Sequence, residues 1–116
     1  RIQMRDQMVG MYQHLPEPLP VVSEDYGVHQ RWLVFYIDGV KILNKPQPEN
    51  VINEYKKALE KEGWAAEREY VRNDKNKTYG INMRKGEFIL SVSARENRDS
   101  INIHLIKRDW IYHMGL

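Results

Sequence analysis

Four histidines, at positions 14, 29, 104 and 113, are the side chains here best suited to proton transfer or metal binding at neutral pH. None has the spacing of a metal-binding pair such as H-E-x-x-H. His104 stands between Ile103 and Leu105 in a strand-like run, which points it outward. If the chain end folded back it would meet His113, yet a zinc site would still need further ligands. The carboxylates Glu24, Asp25 and Asp38 lie near the ends of the first strand. A catalytic pair needs one carboxyl group with a raised pKa in a cleft, and acids in turns are ordinarily solvated. There is no G-x-S-x-G elbow, no P-loop and no G-x-G-x-x-G. Gly39, Gly80 and Gly86 read as turn or strand punctuation. The absence of cysteine excludes disulfides, thiol catalysis and Cys-ligated zinc. The expectation is a protein that is not an enzyme and has no catalytic residue, no metal and no cofactor.

Nucleic-acid binding is the next chemistry to weigh. Tyr70, Arg72, Lys75, Lys77, Tyr79 and Arg84 gather around one hairpin, and aromatic side chains on a sheet can stack bases. Against this, Glu67, Glu69 and Asp74 are interleaved with the basic residues, and the RNP pattern is absent. Tyr79 shares a strand face with Ile81 and Met83, which makes it a core residue. The overall charge is slight, with 18 Lys and Arg against 16 Asp and Glu. It is uneven along the chain: residues 64–116 carry 10 basic and 7 acidic groups, a surplus of three. No nucleic-acid partner is expected from this balance.

At 116 residues the chain has the length of one ordinary domain, and a single core of that size can be stable without covalent staples. Its 41% hydrophobic and 29% charged residues are those of a folded globular protein. No apolar run approaches the roughly 20 residues of a membrane span, and no signal peptide is visible. The chain opens on Arg1 rather than Met, which suggests a processed product and leaves room for a lipid anchor on a removed N-terminus.

The elements that must position any site are legible. Ile2, Met4, Met8, Met11, Tyr12 and Leu15 fall at roughly helical spacing, an extra N-terminal helix interrupted by Gly10. Leu15-Pro16-Glu17-Pro18-Leu19-Pro20 forces extended backbone, a semi-rigid connector. Residues 1–20 therefore form an amphipathic segment and connector, and residues 21–116 a single α+β domain. Val21-Val22-Ser23 offers a brief edge strand. Arg31 to Asp38 is rich in β-branched and aromatic residues and predicts a strand. Apolar residues occupy both its faces, so both need a cover. Pro48 to Trp64 predicts one amphipathic helix. Pro48 suits the first turn, Glu49 favours the positive end of the dipole, and Val51, Ile52, Tyr55, Ala58 and Leu59 form the stripe. Gly63 fits a left-handed cap, with Trp64 folding back on Leu59.

Four strands follow: Ala66–Arg72, Thr78–Arg84, Glu87–Ala94 and Ile101–Lys107. Polar turns at Asn73–Lys77 and Glu96–Asp99 and a tight hairpin at Lys85-Gly86 separate them. The fold read from this pattern is β-α-β-β-β-β, a twisted antiparallel meander with one helix across its core face. Five apolar helix side chains buried there would each gain roughly 1.5–3 kcal/mol before conformational entropy is charged.

Two apolar segments lack a home in that scheme, the N-terminal stretch and Trp110 to Leu116. Packing on the second face of the sheet, over Leu33, Phe35 or Ile37, would hide them. Otherwise they form a partner surface made of Met8, Met11, Leu33, Phe35, Ile37, Trp110, Ile111 and Tyr112. Methionine and aromatic residues together suit adaptable apolar recognition.

In this order of elements the chain resembles a loose group of small bacterial cell-envelope proteins, many of them predicted lipoproteins of unknown function. The resemblance rests on Leu15 to Val22, the strand ending near Tyr36, and the helix written Pro48-Glu49-Asn50-Val51-Ile52, Tyr55, Ala58-Leu59, Gly63-Trp64. It extends to the hairpin residues Gly86, Phe88, Leu90 and Val92 and then Ile101 and Ile103, about residues 15–108 in all. Such proteins usually start at a lipidated cysteine, which this chain lacks, and the Trp110–Leu116 tail is not part of the pattern. The resemblance implies a non-catalytic binding or structural domain of the envelope, periplasmic or membrane-anchored, acting through protein–protein contact or self-association. The alternative is a cytosolic interaction protein such as an immunity or regulatory partner, ahead of a small-ligand-binding or nucleic-acid-binding domain.

Overall fold

A computed structural model describes residues 10–20, 27–31, 34–44 and 46–107, with side chains described over 10–20, 40–44 and 46–107. The expected helix is α1 (Pro48–Lys61). The strands are β1 (Gly27–Arg31), β2 (Val34–Lys41), β3 (Ala65–Asn73), β4 (Lys77–Lys85), β5 (Phe88–Arg95) and β6 (Ser100–Lys107). Every pairing is antiparallel, in a six-stranded sheet ordered β1-β2-β6-β5-β4-β3. The fold is thus α+β, with the helix carrying the chain from β2 to the far edge and a meander bringing it back until β6 pairs with β2.

One boundary differs from the expectation. The run expected as a single strand from Arg31 to Asp38 belongs to two, because Arg31 ends β1 and pairs with Val34 at the start of β2. β1 has the sequence Gly-Val-His-Gln-Arg, whose lone β-branched residue gives little strand signal of its own. Val21-Val22-Ser23, offered above as an edge strand, lies outside the described residues.

The helix forms and stops for the reasons its sequence gives. Pro48 occupies the first turn, and Val51, Ile52, Tyr55 and Leu59 are buried on one stripe. At the other end Gly63 takes φ +92°, and the Trp64 and Gly63 N–H groups donate to the Leu59 and Glu60 carbonyls at 3.0 and 3.1 Å. That pair of bonds is a Schellman motif. The Lys85 ammonium donates to the Glu62 carbonyl at 2.6 Å, satisfying another of the orphan acceptors at the helix end.

The core lies between α1 and one face of the sheet. Leu59, Ile81, Met83, Leu90, Val92 and Leu105 are sealed from solvent. Pro48 lies beside Ile42, Ala94 and Ile101, and Lys85 reaches the opposite helix end, so α1 runs along the strands over β3, β4 and β5. The N-terminal segment covers more of the same side. Residues 10–13 are helical, and Met11, Tyr12, Leu15 and Leu19 pack half-buried against the core. The Leu43 N–H donates to the Pro20 carbonyl at 2.9 Å and ties down the end of the connector. Residues 10–20 therefore lie on the helix side of the sheet, not on its second face.

Candidate binding surface

Among the described residues the buried set is entirely apolar, with no buried polar or charged residue. No group of three or more His, Cys, Asp or Glu among them could hold a metal. The His14 ring donates from Nδ1 to the Gly10 carbonyl at 2.7 Å, a local bond inside its own helical turn. Glu24, Asp25, His113 and the side chains of His29 and Asp38 lie outside the described residues.

Of the apolar surface expected for a partner, only Met11 has a described side chain. Met8, Leu33, Trp110, Ile111 and Tyr112 lie outside the described residues. Met11 is half-buried against the core and lines a shallow groove with Leu15, Trp64 and Phe88. Positions 35 and 37 stand opposite Leu105 and Ile103 in the β2–β6 ladder. Directly paired positions share a face, and Leu105 and Ile103 belong to the buried core. The ladder therefore sets positions 35 and 37 on the helix side rather than the second face; their side chains are outside the described set. The reason is the parity of the strand: a register fixed by Ile103 and Leu105 decides which alternate set of β2 faces α1.

The helix-free face has a different character. Reading across β3, β4, β5 and β6, one row is Tyr70, Gly80, Ser93 and Asn102, and the next is Arg68, Asn82, Ser91 and His104. Arg72, Thr78 and Arg95 make a row on one side, and Arg84, Ile89 and Ile106 make one on the other. Four guanidinium groups thus share a face on which these paired rows place no carboxylate. Glu69 pairs with Ile81 and so projects to the helix side, where its carboxylate meets Lys56 Nζ at 3.5 Å. Glu67 falls in the bulge between Ala66 and Arg68. The alternation that sets Glu69 between Arg68 and Tyr70 in the sequence puts it on the opposite face from Arg68 and Arg72.

At the centre of this arrangement is Tyr70. Its ring lies across β4 onto Gly80, so close that a Cβ at position 80 would overlap it. Glycine is required there to admit the ring, and the ring in turn covers the bare backbone. The Arg68 and Arg72 guanidinium groups stand 5.5 and 5.4 Å from the ring centroid, within cation–π range. Arg95 Nε is buried without an acceptor among the described residues. Tyr70, Arg72 and Arg84 were conspicuous in the sequence; Arg68 and the role of Gly80 were not. Period-two alternation through Arg68, Tyr70 and Arg72 is the signal that would have found the first. The partnership of Tyr70 with Gly80 depends on strand register, which the sequence does not display.

The second feature of this region is the strand edge. Among the described strands β3 is terminal in the sheet and pairs with β4 alone. Eight of its nine residues are exposed, Tyr70 being half-buried. Val71 is 49% exposed, on the helix side of the strand, above an open groove lined by Ile52, Asn53 and Tyr79. Among the described residues no helix is long and apolar enough to cross a membrane. No family model matches the chain, and neither a curated protein nor a solved structure matches it.

Proposed function

We propose that the chain is a non-catalytic binding domain that acts through protein–protein contact in the bacterial cell envelope, periplasmic or membrane-anchored. One observation carries the binding reading: the helix side is closed around an apolar core, while the β3 edge and the adjoining helix-free face present charged and aromatic side chains to solvent. The envelope assignment rests on the resemblance of the helix and hairpin sequence to small envelope proteins. Trp110, Ile111 and Tyr112, with Met8 and Leu33, remain proposed contributors to contact from their apolar types alone.

The test is co-purification of the full chain from a cross-linked envelope fraction, with a parallel soluble fraction as control. Specific capture of a protein from the envelope fraction supports the reading. Capture from the soluble fraction alone would move the domain to the cytosol, as a regulatory or immunity partner. Loss of all capture would remove the protein-contact reading.

A second reading is favoured by one feature, the alternation that sets Arg68, Tyr70 and Arg72 side by side on one face of β3. Guanidinium groups beside a half-buried aromatic ring suit the phosphates and bases of a single strand. Labelled oligothymidylate and oligouridylate would bind this face with an affinity that falls steeply with salt, and Tyr70→Ala with Arg72→Gln would abolish it. Absence of binding at low salt excludes this reading.

A further inference from the structure

We propose that two copies of this chain pair through their β3 edges in one antiparallel register, centred on Val71. The inference rests on the protein-contact reading and names its partner, a second copy. The edge is available: among the described strands β3 ends the sheet, and eight of its nine residues are exposed. An unpaired strand edge is a template for another strand.

Side-chain order selects the register. In a two-fold pair of antiparallel strands each residue faces a mate whose number, added to its own, is constant, and paired residues lie on the same face of the sheet. With Val71 opposite the partner's Val71, Tyr70 faces the partner's Arg72, and Glu69 faces the partner's Asn73. Arg68 then faces the partner's Asp74, just past the strand end. No pair in this register sets like charges together: Val71 meets Val71, the Glu69 carboxylate meets an amide and Arg68 meets an acid, while the Tyr70 ring stays on Gly80 of its own sheet. Moving the centre to Tyr70 sets Arg68 against the partner's Arg72. Centring on Glu69 sets two Glu69 carboxylates together, and centring on Arg72 sets two Arg72 groups together. These neighbouring registers carry like charges directly opposite, which is destabilising.

The half-exposed Val71 supports the same centre. It is one of two large apolar side chains described as exposed, and it sits beside the open groove between α1 and β3. A mate on the same face would cover it. The two-fold axis would stand perpendicular to the sheet, joining two six-stranded sheets into one with both helices on the same side. The bulge between Ala66 and Arg68, one in each copy, bounds the paired segment at both ends.

The experiment is solution mass of the full chain by sedimentation equilibrium over a concentration series, with a charge exchange. The unaltered chain is expected to dimerise. Arg68→Glu, which sets a carboxylate against the partner's Asp74, is expected to weaken dimerisation at least tenfold. Adding Asp74→Lys to Arg68→Glu restores it. Both positions are exposed, and circular dichroism of the variants would verify that the fold is retained. A monomer at all concentrations overturns the inference. The protein-contact reading would then stand or fall on capture of another protein. A dimer unmoved by the charge exchange overturns the β3 register.

Discussion

Tyr70 and Gly80 make the most testable pair of residues in the molecule. Glycine inside a strand is ordinarily a weakness, since it has maximal backbone freedom to lose and no side chain to pack. Here the missing Cβ is filled by the Tyr70 ring, flanked by Arg68 and Arg72. Gly80→Ala would push the ring off its seat, and we predict a loss of about 1–2 kcal/mol in urea unfolding, set by the ring contact and the displaced cation–π pairs. In a Tyr70→Ala background the same substitution has nothing to displace. It should be neutral or stabilising there, so the double-mutant cycle gives a coupling energy of about 1 kcal/mol or more. Additive effects would show that the ring and the glycine are independent. Leu59, wholly sealed under the helix, sets the upper scale: Leu59→Ala should cost about 2–5 kcal/mol through the cavity it leaves.

Among the elements, α1 was the one most fully written in the sequence. Its apolar stripe, first-turn proline and Gly63-Trp64 stop all point the same way, and the structure has each of them. Gly63 at φ +92° is the position where another residue is strained. Gly63→Ala is predicted to cost about 1 kcal/mol, whereas Gly63→Asn, which tolerates left-handed backbone, should cost less. Thermal unfolding of the two variants would show it; equal losses would mean that the cap geometry does not govern the helix end. The alternating hairpins from β4 to β6 were legible for a similar reason, since Ile81, Met83, Leu90, Val92, Ile101, Ile103 and Leu105 mark one face unambiguously. The β1–β2 region was not. An unbroken apolar run from Trp32 to Ile37 has no period to read, so neither the strand break nor the face of positions 35 and 37 could be derived from it. The arginine face was written in the alternation of β3 but masked by treating residues adjacent in sequence as adjacent in space.

For the molecule as a whole, the question is what the N-terminal segment does. A single helix of 14 residues packs over three of the six strands and cannot cover the rest of the core face. Residues 10–20 add to the cover, with Met11, Tyr12, Leu15 and Leu19 against the cluster that includes Trp64 and Leu105. The same apolar residues that invite an interface reading therefore stand, in part, inside the monomer's own packing. The two roles separate by experiment. Met11→Ser and Leu15→Ser together, each removing part of a half-buried apolar side chain, should destabilise the isolated chain by about 2–3 kcal/mol and raise binding of a hydrophobic dye. If the segment served only a partner, these changes would leave monomer stability in place and reduce capture instead. Because Val71 borders a different groove from the one that Met11 and Leu15 line, the β3 pairing should survive them. Dimer strength measured below the unfolding transition would be unchanged, so a loss of dimer without loss of fold would mean that the terminal segment, and not the strand edge, joins the copies.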